Sequence, residues 1–545
     1  MFNRNRIYLA IFIGLSGLAL TACGGGGSLT KDSAETPSET VVTPPPIITP
    51  PATNDWQAGV FNPASNYINQ CAIPRTGNDP YNENKPYPDK AGSEFTEKMW
   101  LRSWSNETYL WYDEITDKNP SSFATVAAYF KQLKTEQTTD SGAKKDNYHY
   151  SEPTVDFYKE AQSGVVSGYG INWTFIANTP PRILRVAYLE DNSPAANSGI
   201  QRGDTILAVD DVSIDINTQS GVETLNNVIF SPTAGESHNF KIRSNDGIEK
   251  SRTITAGNIT KTPVQNVNTF STKNNTRVGY MQFNSHISVA QQGLIDAINK
   301  FKADQVDELV IDFRYNGGGL LALSSQLAYM VAGPANTDDF YYYKTIQNDK
   351  QPIEQPLPFI NQEIDYSTFE GKQTLLPDLN LSKVYVLSTS GTCSASEAFI
   401  NGLKGIDIEV VLIGDKTCGK PYGFTPTHNC ATTYYTIQFS GANYKGFGEY
   451  ADGLTPTPSP QFLADVKGCP VADDFDHQLG DSNEALLSTA LYHIKNDSCP
   501  LNAQSAKKKF SYASRAADGL ELTPPKSLYN TNMDLTWLNK GKSND

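Results

Sequence analysis

Three short segments of this 545-residue chain carry side chains that could perform acyl transfer. The first is DFRYNGGG (312–319), where a β-type run ends in three glycines. The second is SGTCSASEAF (390–399), which places Ser394 between a β-type run at 384–387 and a helix-like stretch from Glu397 onward. The third is IGDKTCGKPYGF (413–424), a loop after another β-type run that carries Lys416 and Lys420. A serine hydroxyl becomes a nucleophile only beside a group that takes its proton. A lysine can be that base where burial holds its amine neutral, lowering its pKa by about 3 units. An oxyanion needs preorganised donors, and N–H groups at a glycine-rich turn and a helix N-terminus supply them. Glycines at 317–319 let backbone approach substrate without an intervening Cβ.

Each feature alone has a plainer reading. A serine before a helix is usually an N-cap, three glycines are usually a turn, and a lysine is usually solvated. Their joint occurrence on successive strand-to-helix loops is what favours chemistry.

The elements that must position these loops alternate between the two periodicities. Strands are predicted over 278–283, 308–313, 384–387 and 409–413. Helices are predicted over 289–301 and 320–331, with another after Ser394. Such alternation defines an α/β protein with parallel βαβ units, whose loops emerge together at the carboxyl ends of the strands. Residues 335–380, polar and broken by prolines, read as an insertion or lid. Upstream, 94–162 has a helix-like aromatic rhythm, including a second helical stretch over 123–133. From 168 to 259 short β-runs with turns take over. The segment SPAANSGIQRGDTILAVDDVSI (193–214) has a small-residue helix, a turn and a strand at 205–209. Its Arg-Gly-Asp at 202–204 belongs to that turn and is no evidence for adhesion.

Length suggests three or four units of about 150 residues each. The net charge of −15 and the lack of a basic stripe exclude nucleic acid as a partner. Arg4 and Arg6 precede an apolar run over 7–20 and then Thr21-Ala22-Cys23, the order of an export signal. The run is short for a membrane-spanning helix. Beyond Cys23 stand six cysteines. An even count in an exported chain predicts disulfides, and no Cys-x-x-Cys supports a metal site instead. Cys418 with Cys430 would close a loop around Lys420, and Cys469 with Cys499 would tie down the segment after the core. Cys71 and Cys393 are left to pair or to stay as thiols.

The three loops, in this order behind a PDZ-like segment, resemble the C-terminal processing (tail-specific) serine peptidase family and its tricorn-type relatives. The match runs from about residue 94 to 425 and implies a crotonase-like (ClpP-type) catalytic core with an N-terminal helical module and an inserted PDZ-like domain. It implies Ser394 as nucleophile, Lys420 as base, and Ala395 and Gly318 as the oxyanion hole. The spacing from Ser394 to Lys420 is one residue longer than in processing enzymes, and Phe424 stands where a lysine-orienting Gln belongs. Tricorn-type relatives use a histidine of the helical module, which makes His149 the alternative base, while His286 and His428 read as ordinary polar positions. Ser167-Gly168-Tyr169-Gly170-Ile171 resembles the carboxylate loop of bacterial protease PDZ domains, so Gly168 to Ile171 would take a peptide's free C-terminus by backbone N–H groups. Leu20-Thr21-Ala22-Cys23 resembles the bacterial lipobox. It implies lipidation at Cys23 and, with Gly24 following, the outer membrane of a Gram-negative cell.

The expected division is thus a signal over 1–23, a tether over 24–60, the helical module over 61–162, the PDZ-like domain over 165–260, the core over 261–500, and an unplaced tail over 501–545. The expected function is a periplasm-facing, lipid-anchored serine endopeptidase that cuts exported proteins near free C-termini and needs no cofactor or metal. The alternative is an inactive peptide-binding lipoprotein. A crotonase-type acyl-CoA enzyme, a third reading, would need neither a peptide-binding module nor an activated serine.

Overall fold

Three consecutive stretches, ELVID, KVYVLS and EVVLIG, are apolar along nearly their whole length, as strands buried on both faces must be. They lie at the centre of a seven-stranded sheet built from β1 (Val264–Ser271), β2 (Arg277–Phe283), β3 (Glu308–Asp312), β4 (Lys383–Ser388), β5 (Glu409–Gly414), β6 (Thr455–Thr457) and β7 (Asp465–Pro470). The strand order is β1-β2-β3-β4-β5-β7-β6, with β1 antiparallel to β2 and all other pairs parallel. The computed structural model describes residues 56–501, 520–523 and 532–533, except 83, 140 and 369. They belong to one unit, Asp55–Asp545. Cys23, the expected export signal and nearly all of the expected tether lie outside the described residues.

Alternate residues of the central strands face opposite sides. Leu309, Ile311, Val384, Val386, Val410 and Leu412 pack on one face, against α1 (Ala290–Ala303), α2 (Leu321–Ala332) and α3 (Ala395–Gly405). Val310, Tyr385, Leu387, Val411 and Ile413 pack on the other, against α4 (Ala485–Asn496). Every residue of α2 is buried, as expected of a helix apolar all round. The helix and strand predictions agree with these elements to within a residue or two. The expected insertion is itself folded: its strand Tyr341–Gln347 pairs with Phe439–Ala442, and Gln362–Asp365 pairs with Glu370–Leu375.

The N-terminal module holds one long helix, Glu94–Thr108, capped by Ser93, whose side chain takes the Thr96 N–H. Trp100 and Trp104 stack at 5.2 Å along it. The second expected helix is only Val126–Phe130. The module is joined to the core by the strand Tyr150–Pro153, which adds to the hairpin of Thr427–Asn429 and Thr432–Tyr435. Between module and core along the chain comes a separate antiparallel sheet of six strands. It includes Ile171–Ala177, Ile183–Leu189, Thr205–Val209, Ser237–Arg243 and Glu249–Thr255, with the helix Gln219–Phe230 packed on it.

A buried ionic network fastens this second sheet to the core. Arg314, fully buried after β3, meets Asp312 at 2.6 Å, Glu484 at 2.8 Å and Asp473 at 2.9 Å. Arg202 of the Arg-Gly-Asp turn reaches the same Asp473 at 2.8 Å and Tyr315 Oη at 2.6 Å. That arginine is 3% exposed, which removes the tripeptide from any adhesive role. Among the described residues no helix is long and apolar enough to cross a membrane.

Candidate active site

The chain leaves β4 at Ser388, turns through 389–393, and enters α3 with Ser394 at the N-cap. Ser394 has φ +62° and ψ −113°, in a region that non-glycine residues seldom occupy and that costs on the order of 1–3 kcal/mol. Its side chain is buried. Such strain persists where the surroundings over-determine a residue, and here three loops do so.

Because β4 and β5 are parallel neighbours, their exit loops leave side by side. Asp415 N–H donates to Ser388 O at 3.0 Å and Cys418 N–H to Thr392 O at 3.1 Å. On the other flank, the turn after β3 meets the same loop: Cys393 N–H donates to Asn316 O at 3.0 Å, and Ser396 Oγ donates to that oxygen at 3.1 Å. The expected convergence of 312–319, Ser394 and 413–424 is therefore what the sheet produces.

The group that joins the nucleophile loop to the lysine loop is Glu397, three residues into the motif. Its Oε2 accepts the N–H groups of Ser394 and of Lys420, each at 2.8 Å, so the two backbone nitrogens lie within twice that distance of each other. Its Oε1 accepts Gly419 N–H at 2.8 Å and the Thr417 hydroxyl at 2.6 Å. Burial pushes the Glu397 carboxyl up from 4.5, while these donors pull the other way. Sequence reasoning passed over Glu397. The Ser-x-x-Glu spacing of a capping box was the available signal.

Lys420 is fully buried. Its Nζ lies 4.2 Å from the centroid of the Phe424 ring and 4.8 Å from that of Tyr148. The phenylalanine standing in place of the expected Gln thus forms a wall of the lysine pocket. Tyr148 forms another and donates to Gly419 O at 3.3 Å. The neighbouring residue, His149, is set among other groups: Nε2 is 2.8 Å from Phe130 O, Nδ1 is 3.1 Å from Thr436 Oγ1, and its ring packs on Phe130. It is Tyr148, beside the expected alternative base, that reaches the lysine loop.

Gly318 has φ +107°, and a Cβ there would meet Ser394 Cβ at 2.6 Å and Ala395 N at 3.0 Å. The backbone of Gly318 thus passes close to Ser394. Gly318 N–H donates to Asn316 Oδ1 at 3.0 Å, so in this state that donor is engaged. The cause is local, because an Asn two residues earlier folds back on its own turn. Ala395 N–H is among the first four amides of α3, which have no acceptor within the helix.

The same Asn316 oxygen lies 3.0 Å from His286 Nδ1, and Asn316 Nδ2 donates to Phe283 O at 2.9 Å. His286, read from the sequence as an ordinary polar position, is fully buried against Phe283 and Phe313 and braces the glycine turn. Burial lowers its pKa from 6.5 to about 3, although the Asn316 contact favours the charged form. Between those values the unfolded chain binds a proton that the folded chain refuses, so stability falls as pH drops below 6.5. His286→Gln removes that proton uptake. Urea titrations at pH 6.5 and pH 4.5 should show the wild type losing about 2 kcal/mol more than the variant over this interval. Equal losses would mean that His286 protonates freely in the folded state.

The disulfides depart from expectation at two of three places. Cys393 pairs with Cys418 and Cys71 with Cys430, while Cys469 pairs with Cys499 as expected. Adjacent parallel strands bring 393 and 418 together, and the hairpin that accepts the N-terminal module brings 430 to 71. Cys393, Glu397 and Cys418 lie close enough to suggest metal ligands, but the two sulfurs are committed to each other.

In the second sheet, Gly168 to Ile171 form a clamped turn. Tyr169 is buried and donates to Val228 O at 2.9 Å, while Ala195 N–H and Glu190 N–H take the carbonyls of Tyr169 and Gly170. Ile171 opens the strand Ile171–Ala177 and pairs with Leu189.

Residues 277–437 match the model of peptidase family S41, and residues 97–151 match the peptidase S41 N-terminal domain. Two stretches of the chain are thus similar to this peptidase family and to its N-terminal domain. It is 26% identical over 270 residues to a carboxyl-terminal-processing protease of Picosynechococcus, covering 48% of this chain and 56% of that one. It is 24% identical over 266 residues to carboxyl-terminal-processing peptidase 1, chloroplastic, of Arabidopsis thaliana, covering 47% of each. The chain therefore spans about half the length of the curated relatives it matches. An S41 protease structure from Bacteroides fragilis shares the fold, with TM-score 0.55 and 21% identity over 76% of this chain and 98% of that one.

Proposed function

We propose that this chain is a serine endopeptidase that cuts polypeptides near their C-termini, with Ser394 as nucleophile and Lys420 rather than His149 as base. The observation that carries this reading is the single Glu397 oxygen that holds the amides of both residues. Ser394 Oγ gives its proton to Lys420 Nζ and attacks the peptide carbonyl carbon. The negative oxygen is met by Ala395 N–H and, once Asn316 releases it, by Gly318 N–H. Lys420 returns the proton to the departing amine, and water then hydrolyses the acyl-serine. Both ring nitrogens of His149 already face Phe130 O and Thr436 Oγ1, which favours the lysine.

The second sheet, with its clamped turn at Gly168 to Ile171, supports a PDZ-like module that reads a free peptide carboxylate. The motif ending in Cys23 supports lipid anchoring at the outer membrane, facing the periplasm. The test of the core claim is chemical. Diisopropyl fluorophosphate should label the folded chain at Ser394, and Ser394→Ala should abolish both labelling and turnover. A folded protein that is neither labelled nor able to turn over peptide would leave the inactive peptide-binding reading in its place, and turnover that survives Ser394→Ala would remove Ser394 as nucleophile.

A further inference from the structure

We propose that residues 520–523 and 532–533, in the C-terminal tail of this chain, occupy its own peptide-binding path and compete there with substrate. The tail carries no motif, and sequence reasoning left 501–545 unplaced. Two of its segments dock at separate points along the route a substrate would take.

The first is at the catalytic loops. Residues Asn532–Met533 form a strand parallel to Gly319–Leu320, with Asn532 opposite Gly319 and Met533 opposite Leu320. The other side of Gly319–Leu320 is taken by His286, whose N–H donates to Gly318 O at 2.9 Å and whose carbonyl accepts Leu320 N–H at 2.8 Å. In a parallel ladder the N–H and C=O of one residue face the same neighbour. Those of Gly319 therefore face the tail. Gly319 directly follows the glycine that abuts Ser394. The tail strand also passes close to Tyr422–Gly423, the strand that begins two residues after Lys420. Asn532–Met533 therefore lie near both the nucleophile's turn and the base's loop. Extended peptides add to exposed sheet edges through backbone pairing, with little demand on sequence.

The second docking point is on the PDZ-like sheet. Leu522 is 1% exposed, inside the apolar cluster that includes Leu225 and Ile229 of the helix Gln219–Phe230. Thr523 N–H donates to Asn226 Oδ1 at 3.1 Å, on that helix. Leu522 N–H reaches Asn178 O at 3.4 Å, just past the strand Ile171–Ala177, and the Arg182 guanidinium donates to Leu520 O. Residues 520–523 thus lie between the end of that strand and the helix. A strap serving stability alone could stop at this buried leucine. It would not need to continue to the catalytic loops.

The kinetic side of this inference rests on the serine peptidase reading; the binding side does not. The test uses the full chain carrying Ser394→Ala, which cannot cut the tail, and the same chain with N532P/M533P, which removes the Met533 N–H that faces Gly319 in this register and disfavours continued pairing. A fluorescent synthetic peptide of residues 520–545 should bind the proline variant at least about fivefold more tightly, because the tail no longer blocks the site in cis. With Ser394 intact, N532P/M533P should lower KM for a peptide substrate by a similar factor and change kcat less. A chain ending at Thr523 keeps Leu522 buried and should behave like the proline variant. Equal peptide affinity and equal KM across all three chains would overturn the inference while leaving the peptidase reading intact. Tighter peptide binding without any substrate cleavage would uphold it and overturn the peptidase reading instead.

Discussion

Lys420→Ala should lower turnover about 10³-fold, the usual worth of a positioned general base, while His149→Gln should leave turnover per folded molecule within about twofold. The contrast follows from where the two side chains lie. Lys420 sits in an aromatic pocket of Phe424 and Tyr148, one backbone hydrogen bond away from the carboxylate that also holds Ser394. His149 spans Phe130 O and Thr436 Oγ1 within a cluster of rings. His149→Gln should therefore show its effect as a lowered melting temperature. Steady-state rates normalised by active-site titration with a fluorophosphonate separate the two outcomes. A large loss in His149→Gln with little in Lys420→Ala would transfer the base to the histidine.

Glu397→Ala should both destabilise the protein and remove nearly all activity. Truncation leaves the N–H groups of Ser394, Gly419 and Lys420 and the Thr417 hydroxyl buried without the acceptor that serves them. Each stranded donor costs about 1–3 kcal/mol, so a loss of several kcal/mol is expected after partial relaxation. Activity should fall further than stability, because the same atoms set the distance between the nucleophile's loop and the base's loop. Glu397→Gln keeps the volume but presents an amide to donors that need an acceptor, so it should rank between wild type and Ala in both melting temperature and kcat. Chemical denaturation and active-site titration of the three proteins check this order. A Glu397→Gln variant with unaltered kcat would show that a single side-chain oxygen suffices to hold the loops.

The central strands, the helices between them and the convergence of three loops were legible in the sequence. Continuous runs such as Glu308–Asp312 and Glu409–Gly414 can only be buried parallel strands, and parallel strands deliver their exit loops to one edge. Ser394, Lys420 and the glycines stood out because their residue types at those junctions have few structural reasons to occur together. Strand order, by contrast, is not written in local pattern. Placing β4 beside β5 is what pairs Cys393 with Cys418, and adding Tyr150–Pro153 to the 427–435 hairpin is what pairs Cys71 with Cys430. The roles of Glu397, Asn316 and His286 were hidden for the same reason. A buried polar side chain is defined by the partners that satisfy it, and those partners come from segments distant in sequence. The tail is the extreme case. Two residues pair with Gly319–Leu320 through backbone atoms that every residue carries, so nothing in their side chains announced the contact. Sequence alone determined which residues could do the chemistry and which strands could carry them. Only the tertiary structure decided which carboxylate, which cysteine and which chain end stand beside them, because side-by-side placement depends on burial and pairing across the whole fold.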